Sequence, residues 1–244
     1  MARRKVQLVN GEIYHIVIKA IDGINFFRDE KDCLRMIHDL FEFNDINSAL
    51  PNFRVIAHYH KINLTRKDLV KITEECQKKR KKRKMLVEIL AFCLMPNHIH
   101  LLVRQLQEGG ISKFMKKLGG YALYYNKKYG RKGHLSQDKF QAILIKNNEQ
   151  LKTAFVYIHT NPVAIIYPGW KEKGIKNAKR AIKYVENYRW SSYPDYLGKK
   201  NFPSLTNREF LLRVMGGKEG CSNFVNACLK FKQNLADFDY VAIE

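Results

Sequence analysis

Hydrophobic and polar positions along the chain alternate in short runs, separated by stretches of helical period. Glu12 to Ala20 is rich in β-branched and aromatic residues and predicts a strand. Asp29 to Phe43 spaces Leu34, Ile37, Leu40 and Phe41 as a helix would. Phe53 to His60 reads as a short strand. Thr65 and Asp68 then open a helix in the manner of a capping box, and it runs on through Lys84. Met85 to Leu94 and His98 to Gln105 are two strands joined by a tight turn at Pro96 and Asn97. A second helix covers Ile111 to Tyr129, weakened at Gly119 and Gly120. Phe140 to Lys146 is a strand, and Asn148 to about Thr160 is a third helix that Pro162 stops. Two short helices are expected near Asn207 to Met215 and Cys221 to Lys232.

This order predicts an α+β fold: a ferredoxin-like antiparallel sheet with helices on one face, followed by a small helical C-terminal extension. The expected division is a domain over 1–198, carrying a basic helical insert at about 61–84, and an extension over 199–244. The sheet face left open would carry the histidines of the third strand. In an extended strand His98 and His100 share one face, while Ile99, Leu101 and Val103 share the other and enter a core.

Composition narrows the partners. Lys+Arg 44 against Asp+Glu 23 gives a formal charge of +21, an excess that favours polyanions, nucleic acid first. No apolar run is long enough for a membrane span, and no signal-like segment follows the N-terminal residues, so a cytoplasmic, nucleoid-associated protein is expected. The five cysteines form no CxxC pair and read as buried thiols. The basic residues that could contact phosphates are Arg3, Arg4 and Lys5; Lys78, Lys79, Arg80, Lys81, Lys82, Arg83 and Lys84; Lys116 and Lys117; Lys127 and Lys128; and Arg131 and Lys132. Among them, Tyr121, Tyr124, Tyr125 and Tyr129 interleave with lysines; most belong in the core, leaving one or two to stack on bases.

His-x-His on a strand can chelate one divalent ion, although the pattern is common; His58 and His60 repeat it in this same chain. The third helix gives it weight. Gln150, Ala154, Tyr157 and Asn161 lie on one stripe, and Leu151, Phe155 and Ile158 on another that can face the core. Tyr157 is thus expected to be exposed, with the Asn161 amide one turn away, although a residue before proline departs from α geometry. Two imidazoles, an amide and a tyrosine form a coherent set: a metal bound to a phosphodiester stabilises developing charge, and the phenol attacks to give a covalent phosphotyrosine. His159 is given no metal role.

At these residues the chain resembles the HUH single-tyrosine transposases, in particular the branch of REP-associated tyrosine transposases. The resemblance rests on Met95–Val103 (MPNHIHLLV), on Tyr125–Asn126 with Arg131–Phe140 (RKGHLSQDKF), on Tyr157–Val163 (YIHTNPV) and on Trp190–Gly198 (WSSYPDYLG). It implies His98, His100 and Asn161 as metal ligands, Tyr157 as nucleophile, Mg2+ or Mn2+ as the ion, and single-stranded DNA with hairpin (REP-like) elements as substrate. The implied activity is that of a transposase and endonuclease, monomer or homodimer, that leaves a 5′-phosphotyrosine and a free 3′-hydroxyl. Ser136 stands where relatives often carry tryptophan. Two other readings compete. One is a domesticated, non-catalytic hairpin-DNA-binding protein. The other is a zinc hydrolase, which needs a third strong ligand at the histidines.

Overall fold

The structure, a computed structural model, describes residues 7–47, 83–137 and 140–230. The expected strand at 53–60, the second His-x-His pair, the basic insert up to residue 82, Arg3, Arg4 and Cys76 lie outside them. Four strands are present among the described residues: β1 (Ile13–Lys19), β2 (Val87–Met95), β3 (His98–Gln105) and β4 (Gln141–Ile145). They form one sheet in the order β2-β3-β1-β4, every neighbour antiparallel. Helix α1 (Glu30–Glu42) lies between β1 and β2 in the chain, and α2 (Gly110–Leu118) and α3 (Tyr121–Tyr129) between β3 and β4. This is the expected ferredoxin-like α+β arrangement. The expected second helix is two, divided at Gly119 and Gly120, where backbone freedom costs a helix most. In α1 the buried stripe is Cys33, Met36, Ile37 and Leu40; Leu34 faces outward.

Side-chain alternation sorts the sheet into two faces, and both are covered. Tyr14, Ile16, Phe92, Ile99, Leu101 and Val103 pack under α1, α2 and α3. On the opposite face Ala91, Cys93, Met95, Leu102 and Ile145 pack under α4 (Asn148–Thr160), whose first turn is capped by the Asn147 side chain. The same cluster takes in Trp170, Ala181, Val185, Tyr193, Tyr196, Leu211, Met215, Val225 and Leu229. These come from α6 (Trp170–Lys173), α7 (Ala178–Glu186), α8 (Tyr193–Tyr196), α9 (Glu209–Met215) and α10 (Gly217–Lys230), and α5 (Val163–Ile166) adds Val163. The expectation of helices on one face, with the histidine face open, is therefore corrected. The physical reason is visible in β2, whose sequence VEILAFCLM is apolar on both faces. Such a strand must be buried on both sides.

The segment 190–192 closes the outer edge of β2. Leu94 N–H donates to the Trp190 carbonyl and Ser192 N–H to the Phe92 carbonyl. The strand bulges between Ile89 and Ala91, and the Tyr196 hydroxyl donates to the Leu90 carbonyl at 2.6 Å. An edge that would otherwise expose unpaired backbone is thereby satisfied. The cysteines at 33, 93, 221 and 228 are buried thiols, and burial pushes Cys33, Cys221 and Cys228 up to about 12. No helix among the described residues is long and apolar enough to cross a membrane.

His159 lies in this second core, 2.8 Å from the Ser192 hydroxyl through Nε2, with Phe155 and Tyr193 against its ring. Burial drives its pKa down from 6.5 to about 3. The folded protein therefore holds it neutral while the unfolded chain takes up a proton below about pH 6.5. Stability should fall as pH drops from about 6.5 towards 3, by up to about 1.4 kcal/mol per pH unit for this group. Urea unfolding of His159→Gln between pH 7 and 4.5 should show a pH slope smaller than wild type by about one proton. Equal slopes would refute the assignment.

Candidate active site

β3 presents His98 and His100 towards α4. The register pairs His100 with Val17 of β1 and with Cys93 of β2. His15, two residues before Val17, thereby lies diagonally beside His100 on the same face. The rings of His98 and His100 stand 4.7 Å apart at 88°. Asn161 Nδ2 donates to His100 Nε2 at 2.7 Å. His100 thus carries its proton on Nδ1, which meets His15 Nε2 at 3.0 Å. His98 is set in the same tautomer, its Nδ1 being 2.8 Å from Asn97 Oδ1. Both imidazoles consequently present Nε2 as the basic nitrogen, each oriented through its other nitrogen, as metal-binding histidines usually are.

His100 is fully buried. Burial first, and then the charges of His98, His15, Lys171 and Lys19, hold its pKa well below 6.5, so it is neutral at pH 7. Tyr157 closes the group from above, edge-on to His100 at 5.5 Å and to His15 at 5.7 Å between ring centroids. Asn161 keeps helical geometry (φ −51°, ψ −40°) despite Pro162, and its N–H bonds to the Tyr157 carbonyl at 3.1 Å. The tyrosine and the amide therefore reach the histidines from one turn of one helix. The expected exposure of Tyr157 is corrected: it is 2% exposed, because the helices after it cover the stripe that local periodicity left open.

Two neutral imidazoles and an amide make a donor set that could hold a divalent ion at His98, His100 and Asn161, once the Asn161 amide turns so that Oδ1 replaces Nδ2 and His100 Nε2 is freed. Among the described residues no three of His, Cys, Asp and Glu form a metal cluster. The third imidazole, His15, sits on the Nδ1 side of His100, away from Nε2, which counts against the zinc hydrolase. Two residues entered unannounced. His15 is a polar residue in the middle of an otherwise apolar stretch of β1, IYHIVI, ahead of the terminal Lys19. Lys171 Nζ lies 3.3 Å from the Tyr157 hydroxyl, and nothing in the sequence distinguished it from other lysines.

The basic candidates are placed unequally. Lys128 is bound to Asp29 at 2.7 Å and to Asp32 at 2.6 Å. Arg131 donates to Asn126 and to the His134 carbonyl, and Arg83 to the carbonyls of Phe41 and Asn44. Lys84, Lys127 and Lys132 are exposed. Of the four tyrosines, Tyr121 and Tyr125 are buried, while Tyr124 and Tyr129 donate their hydroxyls to Asp32.

The model of the IS200-like transposase family matches residues 53–161, somewhat under half of the chain. No curated protein matches the sequence. A solved structure of a REP-associated tyrosine transposase bound to a REP hairpin is similar at 14% identity, with 81% of this chain and 86% of that chain covered and a TM-score of 0.45.

Proposed function

We propose that this protein, whose residues 53–161 match the model of the IS200-like transposase family, cleaves and rejoins single-stranded DNA beside hairpins by attack of Tyr157 on a phosphodiester. The observation that supports this most is the convergence of Asn161 and Tyr157, from α4, on His100 of β3. His98, His100 and Asn161 would hold a divalent ion, Mg2+ or Mn2+. When bound, that ion supplies polarisation of the phosphoryl group and neutralises the charge that develops on it. The chain's own residues do the rest. Tyr157 provides the oxygen that bonds to phosphorus. Asn97 and His15 fix the ligand tautomers. Burial keeps His100 unprotonated and ready to coordinate. The product is a 5′-phosphotyrosine and a free 3′-hydroxyl; because the diester's energy is retained in the link, the reaction reverses without ATP.

The 2% exposure of Tyr157 favours one competing reading, a protein that binds hairpin DNA and performs no chemistry. The two differ in one experiment. The protein is incubated with a single-stranded oligonucleotide bearing a hairpin, in Mg2+, Mn2+ or chelator, and resolved on a denaturing gel. The transposase reading expects a metal-dependent covalent adduct that maps by mass spectrometry to the Tyr157 peptide. Retarded migration under native conditions with no adduct in any ion would leave binding alone.

A further inference from the structure

Lys171 stands at the oxygen on which the proposed chemistry turns. After Asn161 the chain passes through α5 and turns at Tyr167, Pro168 and Gly169. Gly169 has φ 72°, a conformation that few other residues adopt readily. Trp170, 3% exposed, anchors the next short helix in the core. Lys171 follows it directly and is returned to α4, with Nζ 4.6 Å from the centre of the Tyr157 ring and 3.3 Å from the hydroxyl oxygen, to which it donates. Cation–ring packing alone would leave the ammonium over the ring face. Here it also reaches the one atom that must bond to phosphorus.

We propose that Lys171 is a catalytic residue of strand exchange, holding the Tyr157 oxygen for attack and stabilising it as it departs in rejoining. This rests on Tyr157 being the nucleophile. In cleavage the Tyr157 oxygen–phosphorus bond forms and the phosphorus–O3′ bond breaks; the phenol's proton passes to water and the 3′ oxygen takes one up. In rejoining the 3′-hydroxyl attacks, and the phenolate is the leaving group. Negative charge then gathers on an oxygen that already faces a fixed N–H donor. Such preorganised donors are worth about 10²- to 10³-fold in rate. The Tyr157 ring meets His100 edge-on while its hydroxyl meets Lys171, so the lysine serves the nucleophile, and an ion held by His98, His100 and Asn161 would serve the phosphate.

The test compares Lys171→Met and Lys171→Arg with wild type in single-turnover adduct formation on the hairpin oligonucleotide. Methionine should slow adduct formation by about 10²-fold or more, and arginine should recover part of that loss. Mn2+ affinity, oligonucleotide affinity and melting temperature should stay close to wild type in both. A substrate with sulfur in place of the bridging 3′ oxygen, which leaves more readily, should not repair the methionine variant. Adduct formation by Lys171→Met within threefold of wild type would overturn the role of Lys171 while leaving that of Tyr157 standing. So would repair by the sulfur substrate, which would place the lysine at the leaving oxygen. A drop in metal or DNA affinity that accounted for the whole loss would make it a structural residue. Absence of adduct from wild type itself would overturn the parent reading, and Lys171 with it.

Discussion

Tyr157→Phe forms no covalent adduct with hairpin DNA in any divalent ion, and it still binds both ion and DNA. The loss is expected to exceed about 10⁴-fold, because the variant lacks the attacking atom and, among the described residues, no other phenol meets His100. The chain has 13 tyrosines. The hydroxyls of Tyr121, Tyr125, Tyr188 and Tyr196 are committed to backbone carbonyls, and burial pushes the phenols of Tyr121, Tyr188, Tyr193 and Tyr196 upward, away from ionisation. The fold should notice little, since the hydroxyl's bond with Lys171 is worth about 1 kcal/mol. Labelled oligonucleotide on a denaturing gel, beside a melting curve, reads both. A labelled band at the adduct position in the phenylalanine variant would remove Tyr157 as nucleophile.

His100→Ala has the next largest effect, and it can be ranked against His15→Ala. The first removes a proposed ligand and leaves Asn161 and His15 each short of a hydrogen-bond partner in a closed site. Divalent affinity should fall by more than about 10²-fold and adduct formation should become undetectable; stability should fall by about 1–3 kcal/mol through the stranded polar groups. The second removes only the group that orients His100, for which about 10- to 100-fold in affinity is typical. Mn2+ titration followed by electron paramagnetic resonance measures both. Equal affinities in wild type and His100→Ala would exclude His100 from the ion's site, and a His15 variant weaker than the His100 variant would reverse the roles.

What could be read in advance depended on how local the cause was. The Pro96–Asn97 turn, the break at Gly119 and Gly120, and the helix that begins behind Asn147 each follow from a few neighbouring residues, and each is found where those residues put it. The pairing of Tyr157 with Asn161 was equally local, one helical turn apart. Burial of the histidine face was not local. It depends on helices some 100 residues after the strands they cover, and the one local sign of it is a strand apolar on both faces. His15 meets His100 through a register between strands 85 positions apart, so no spacing rule could find it. Lys171 was one cation in a strongly basic chain. Lys128 and Arg131 looked alike as phosphate contacts, and only their partners, Asp29, Asp32 and Asn126, set them apart from Lys127 and Lys132.

The placement of α4 also bears on kinetics. Tyr157 and Asn161 meet His100 within one polypeptide, and the helix that carries them is roofed by the chain that follows it. Adduct formation is therefore expected to be first order in protein, dilution lowering the number of working molecules and not the rate of each; a rate per molecule that falls on dilution would place the nucleophile in a second copy. On that proposal one chain brings Tyr157, Lys171, His100 and Asn161 to a DNA end together.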